Sequence, residues 1–204
     1  MKIYLVRHGA DEEGYRGGWS QRGLTDHGIL QARRLGTYLQ EHAEQYDIQT
    51  IISSDLPRAV QTSSEIEAAL DMPVMYTPEW REMNNGELAG MPHAEAEEKY
   101  PGIYFNTLDM STAFPGGESP IHFHTRIRNT FEHLCIQLEK EQIQSNVLLV
   151  THGGVINILY YLLAKREWSS KSSFYPIDNT SIHTIEKHKE GWSIIHPNRI
   201  PHLR

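Results

Sequence analysis

Three short stretches of the chain are nearly unbroken apolar runs: Ile3-Tyr4-Leu5-Val6, Thr50-Ile51-Ile52 and Val147-Leu148-Leu149-Val150. A run without polar alternation predicts a strand covered on both faces, as in a parallel sheet enclosed by helices. Between these runs the apolar period changes. Ile29, Ala32, Leu35 and Leu39 are spaced as one face of a helix, predicted over 26–42 with Thr25 as its cap. Ser54 or Asp55 followed by Pro57 predicts the start of a second helix reaching about Leu70, since proline suits a first helical turn. A third helix is predicted over 155–164. Strands alternating with helices predict an α/β fold, a three-layer α/β/α sandwich around a mostly parallel sheet. Toward the end, 180–185 and 192–195 flank Lys187-His188-Lys189-Glu190-Gly191 and predict a hairpin that forms an antiparallel edge. From about 84 to 144, Pro92, Pro101, Pro115 and Gly116-Gly117 punctuate helical pieces at 94–100 and 121–139. This stretch is expected to be a helical insertion over the rim of the sheet, within one domain spanning 1–204.

Each predicted core strand runs into a polar cluster. The first leads to Arg7-His8-Gly9, the second through Ser53-Ser54-Asp55 to Arg58, the third to Thr151-His152-Gly153-Gly154. Open α/β sheets bind ligands beyond the carboxyl ends of their strands. Parallel strands would therefore bring His8, His152, Arg7 and Arg58 to one rim, with helix N-termini at Arg58 and Gly153 facing the same way. Such a cluster is an anion site, and its residue types favour a phosphoryl group. Arginines fork onto phosphate oxygens and stabilise charge spread over them. A neutral histidine offers a lone pair for attack on phosphorus, and neighbouring cations disfavour protonation of His8. Gly9 is expected to let the backbone approach the anion closely.

Arg7-His8-Gly9 at the end of a first strand resembles the Arg-His-Gly signature of the histidine phosphatase (phosphoglycerate mutase-like) superfamily. Ser53-Ser54-Asp55-Leu56-Pro57-Arg58-Ala59-Val60-Gln61-Thr62 and Thr151-His152-Gly153-Gly154 are similar to its second and last motifs. Gly18-Trp19, Leu24-Thr25, Gly28 and Gln31-Ala32 resemble stretches after the first motif, in the same order over roughly 2–157. The resemblance implies a metal-independent phosphatase that acts on small phosphate monoesters through a phosphohistidine on His8. It implies that Arg7, Arg58 and His152 bind the phosphoryl oxygens, with the Gly153 N–H and Gly18 on the substrate side. It also implies an acid for the leaving alcohol. Glu82 is the candidate, because 82–90 resembles the family's Glu-x-x-x-Gly-x-x-x-Gly phrase; Glu79 and Glu87 are rivals.

The chain departs from the family pattern in places. Ala10-Asp11 stands where Glu-Thr or Glu-Ser is usual, and 12–15 carries no asparagine, so a hydrogen-bonding group of the usual phosphate pocket is missing or supplied from elsewhere. Asp11, Glu12 and Glu13 are expected to weaken binding of polyanions. The Arg-His-Gly-x-Arg-x-Pro of the acid-phosphatase branch is absent. The mutases' Glu-Arg-His-Tyr is replaced by Glu82-Met83-Asn84-Asn85, which favours water as acceptor. Phosphoglycerate mutase-type transfer and a non-catalytic phospho-ligand-binding module remain the alternatives.

Composition narrows the partners. A formal charge of −7 argues against nucleic acid. The single cysteine, Cys135, excludes an intramolecular disulfide, fits a reducing compartment and is expected to be buried and unreactive. No apolar window reaches membrane-spanning length, and a strand starting at Lys2 leaves no room for a signal peptide. A cytoplasmic protein without membrane partners is expected. His122 and His124, two apart on a predicted helix, point to different faces, so no metal and no cofactor are expected. Gly116-Gly117-Glu118-Ser119 lacks a P-loop's lysine and preceding strand, and predicts a helix start. Trp19, Tyr104, Phe105 and Phe114 are candidates for a substrate mouth or for plain packing.

Overall fold

In the computed structural model, which describes residues 1–144 and 146–204, the apolar runs are the centre of a six-stranded sheet. Its strands are β1 (Lys2–Arg7), β2 (Thr50–Ser54), β3 (Val74–Thr77), β4 (Val147–Thr151), β5 (Ile182–His188) and β6 (Gly191–Arg199). They lie in the order β3-β2-β4-β1-β5-β6, with β1 to β4 parallel and β5 and β6 added antiparallel at one edge. The helices are α1 (Asp26–Glu41), α2 (Ala43–Tyr46), α3 (Pro57–Leu70), α4 (His93–Lys99), α5 (Pro120–Glu139) and α6 (Gly153–Leu163).

Alternate residues of the central strands explain why the runs are apolar throughout. Tyr4, Val6, Ile51, Leu148 and Val150 pack against Leu35 and Leu39 of α1 and Ala59 and Ile66 of α3. Ile3, Leu5, Ile52, Val147 and Leu149 face the other way, onto Phe123, Ile127 and Phe131 of α5 and Val155, Ile156 and Leu159 of α6. This is the expected three-layer sandwich. Burying each large aliphatic side chain stabilises it by about 1.5–3 kcal/mol, so both faces hold the strand ends in place.

Local capping signals set some of the helix starts and not others. The Thr25 hydroxyl accepts the Gly28 N–H at 3.1 Å and caps α1 as expected. The second helix is capped by neither Ser54 nor Asp55: its N-cap is Leu56, without a side-chain cap bond. Asp55 instead forms a bidentate pair with Arg81 at 2.5 and 2.6 Å. β3 was not anticipated. It has four residues, lies at the sheet edge and is half exposed, so it carries no apolar run. The hairpin strands are longer than predicted, because β5 and β6 pair with each other as far as His188↔Gly191 at the turn and Ile182↔Arg199 at the open end.

The middle stretch divides into two. Short 3₁₀ turns and α4 lie among the loops of 84–119, whereas α5 lies in the layer beneath the sheet beside α6. Cys135 is buried on α5, and burial pushes its thiol up to about 12.

Candidate active site

Register brings the clusters together. Arg7 of β1 lies opposite Thr151 of β4, so His8 and His152, one residue beyond each, emerge side by side. Their rings are 5.2 Å apart. Arg58, in the first turn of α3, donates from Nε to His8 Nε2 at 3.2 Å. His8, His152 and Arg58 are all buried.

Hydrogen bonds assign the tautomer of His8. Its Nδ1 is 2.8 Å from the Gly9 carbonyl, which can only accept, so Nδ1 carries the proton. Nε2 is left with a lone pair, to which Arg58 donates. Burial holds the His8 imidazole well below its ordinary pKa of 6.5, and Arg58 and Arg7 add to this. His152 is likewise lowered, by burial first and then by Arg58, His8 and Arg7. Its Nε2 is 2.8 Å from Ser54 Oγ, and its Nδ1 is buried without a partner.

The arginines are held from behind. Arg58 Nη2 donates to the Gly18 carbonyl at 2.8 Å and Nη1 to the Ser20 carbonyl at 3.4 Å. Arg7 Nη1 donates to the Ile177 carbonyl at 2.7 Å, while its Nε is buried and unpartnered. Buried polar groups are nearly always paired. The unpartnered nitrogens of Arg7 and His152, with the cationic Arg58 between Gly18 and His8, form a cluster suited to an anion.

The three candidate acids separate cleanly. Glu79 and Glu87 are exposed, and Glu87 is bonded to the Tyr100 hydroxyl. Glu82 reaches the site: its Oε2 accepts the Gly154 N–H at 2.9 Å and its Oε1 the Met83 N–H at 3.1 Å. At the start of α6 the Gly154 amide is thus taken by Glu82. The Gly153 N–H heads the helix, where no intrahelical carbonyl can reach it. Gly154 is required by this contact, since a Cβ there would lie 2.3 Å from Glu82 Oε1.

Gly9 has a different reason to be glycine from the expected one. A Cβ on it would lie 2.5 Å from the Gly28 carbonyl, so it lets α1 close onto the first loop. Of the loop carboxylates, Glu13 is exposed, Glu12 pairs with Arg22, and Asp11 lies 3.7 Å from Arg58 Nε. Among the histidines weighed for metal, His122 is exposed and His124 stacks on Trp168 with ring centroids 5.3 Å apart.

Several supports were invisible in the sequence. Arg126 of α5 donates to the carbonyls of Glu79, Arg81 and Glu82 and pairs with Glu118 at 2.7 Å. Trp19 Nε1 donates to the Glu82 carbonyl at 2.8 Å. No local motif signals the bonds to these carbonyls, because each joins residues more than forty positions apart. Beside Glu82, Gly18 and Gly154 a cavity of about 510 Å³ opens, lined also by Tyr104, Phe105 and Phe114. Trp19 is not in its wall.

Fold and strand-end cluster together define an α/β phosphatase. The chain belongs to the histidine phosphatase superfamily (branch 1), whose family model matches residues 3–200. It is 28% identical over 209 residues to a metal-independent phosphoserine phosphatase of Arabidopsis thaliana, covering 99% of this chain and 83% of that one. It is 30% identical over 164 residues to the adenosylcobalamin/alpha-ribazole phosphatase of Escherichia coli, covering 78% of this chain and 77% of that one. The solved mycobacterial glucosyl-3-phosphoglycerate phosphatase complexed with VO3 superposes with a TM-score of 0.77 at 25% identity, over 97% of this chain and 98% of that one. Among the described residues no helix is long and apolar enough to cross a membrane.

Proposed function

We propose that this chain hydrolyses small phosphate monoesters without a metal ion, through a phosphohistidine on His8. The observation that carries the reading is the buried, unprotonated His8 Nε2 flanked by Arg58 and by the unpartnered nitrogens of Arg7 and His152. His8 Nε2 attacks phosphorus as the P–O ester bond breaks. Arg7, Arg58 and the Gly153 N–H take the phosphoryl oxygens, and Gly18 holds Arg58 toward them. Ser54 donating to His152 Nε2 leaves the proton on Nδ1, which then faces the oxygens as a donor. Glu82 gives its proton to the leaving alcohol. It then removes one from the water that attacks phosphohistidine, releasing phosphate and restoring both groups.

The test compares wild type, His8→Ala and Glu82→Gln on an alkyl phosphate and on p-nitrophenyl phosphate, with EDTA present. His8→Ala is expected to abolish turnover and ³²P-labelling of the protein. Glu82→Gln should slow the alkyl ester by roughly 10²–10⁴-fold, the usual size of general acid catalysis. The aryl ester, whose leaving group needs little protonation, should suffer far less. Vanadate, which mimics the pentacoordinate transition state, should inhibit wild type. Labelling that survives in His8→Ala, or activity lost with EDTA alone, refutes the reading. 3-Phosphoglycerate converted to its 2-isomer faster than to phosphate would assign a mutase instead.

A further inference from the structure

The cavity beside Glu82 has two features that the phosphoryl chemistry does not use. Its wall is largely apolar, including Leu88, Phe105 and Phe114, and Phe174 stands at it 56% exposed. An aromatic ring that exposed beside a concavity is suited to an apolar occupant. Set in the same wall is Arg16. Its main chain is fixed by bonds of 2.8 Å to Met91 and Gly90, and its guanidinium lies over the Tyr104 ring at 3.9 Å. The side chain is only 11% exposed, yet Nε and Nη2 are buried without a hydrogen-bond partner. The nearest carboxylate, Glu97, is 3.9 Å away and is already engaged by the Tyr104 hydroxyl at 2.7 Å and the Gly102 N–H at 3.2 Å. A guanidinium so confined is under-satisfied. Two other arginines of this protein, Arg33 and Arg81, show what such a group takes: each holds a carboxylate on its Nε and Nη2 edge.

We propose that this cavity receives the alcohol part of the substrate, and that this alcohol is an apolar group, such as one built on an aromatic ring, carrying an anion that Arg16 binds. The proposal rests on the phosphatase reading and extends it to substrate class. Glu82 lies at the junction, lining the cavity while bonded to Gly154 at the head of α6. An ester oxygen beside Glu82 would thus have its phosphoryl group toward His8 and its organic body toward Arg16. A carboxylate is the simplest anion that fits a guanidinium edge.

Benzylphosphonate and benzylphosphonates carrying a para carboxylate, a para carboxyethyl or a para aminomethyl group are non-hydrolysable probes of this arrangement. Calorimetric titration into wild type should show at least one carboxylated ligand binding about tenfold tighter than the neutral one, the size expected for one charged hydrogen bond, and the ammonium ligand no tighter. Arg16→Met keeps the aliphatic stem and should erase the advantage while leaving neutral benzylphosphonate within about twofold. Equal affinities across the series in wild type overturn the proposal, whatever the variant does. So does a variant that weakens neutral and carboxylated ligands alike, or the absence of any binding. Should Arg16→Met fail to fold, the wild-type series decides alone. Hydrolysis of phenyl phosphate by wild type and His8→Ala reads the phosphatase proposal separately, because the phosphonate titrations need no turnover.

Discussion

Asp11 gives this pocket a character of its own. Its carboxylate lies 3.7 Å from Arg58 Nε, on a loop tied to the neighbouring segment through a bridge to Leu24. A negative group facing a guanidinium that also serves an anion competes for it. Burial pulls Arg58 down while Asp11 and Glu82 oppose this, so Asp11 helps to keep the buried cation charged. The two effects work against each other for ligand affinity. Direct repulsion of the anion acts at close range and should win, because Arg58 also keeps Glu82 as a counter-charge. Asp11→Ser is expected to lower the inhibition constant for inorganic phosphate by roughly three- to tenfold at low salt. A constant that rises or does not move shows that Asp11 serves Arg58 rather than opposing the ligand.

The strand ends and helix starts perform the assembly. β1 and β4 deliver two imidazoles because they are parallel and paired in register. α3 delivers Arg58 from its first turn, and α6 fixes Glu82 through its second residue. Gly154 shows how a helix start can matter for chemistry without mattering for stability. Gly154→Ala removes a poor helix former, which by itself stabilises a helix by about 1 kcal/mol. The added methyl would meet Glu82 Oε1 at 2.3 Å and turn the carboxylate aside. The expected result is a thermal midpoint equal to or above wild type, with kcat on alkyl phosphates reduced at least tenfold. A variant that is fully active, or one that loses activity only because it unfolds, contradicts this account of Glu82.

Taken as a whole, the protein carries buried neutral histidines at its strand ends and within the sheet, and this sets its response to acid. His183 is held at about 4 by burial, against 6.5 for an exposed imidazole. Its ring accepts from the Tyr160 hydroxyl and the Asn198 N–H and is 2.8 Å from Ser181 Oγ. His8 and His152 are lowered well below 6.5 as well. Below pH 6.5 the unfolded chain takes up protons on these rings that the folded protein refuses. Their contribution is therefore intact above pH 6.5 and declines as the pH falls toward about 4. Each such histidine adds a slope of up to about 1.4 kcal/mol per pH unit. Urea midpoints should fall steadily from pH 7 to pH 4.5, and His183→Gln should flatten that decline even if it lowers every midpoint. Midpoints that stay level or rise in acid are incompatible with these rings being buried neutral.

Much of this was written into the chain locally. Apolar runs name the two-sided strands, since only enclosed strands tolerate such sequences, and Thr25 caps α1 by a bond three residues long. The meeting of His8, Arg58 and His152 is legible because two directly follow strands and the third opens the helix after one, at the end of the sheet where α/β folds place ligands. Tertiary structure decided what depends on distant neighbours: β3 with its weak apolar signal, the placing of the Glu82 carboxylate, rather than that of Glu79 or Glu87, against the head of α6, and the diversion of Asp55 to Arg81. It alone placed Arg126 and Trp19 behind Glu82, and Arg16 in an apolar wall. Periodicity and capping act over a few residues and leave a mark in the sequence. A hydrogen bond between groups tens of residues apart leaves none until the sheet has closed.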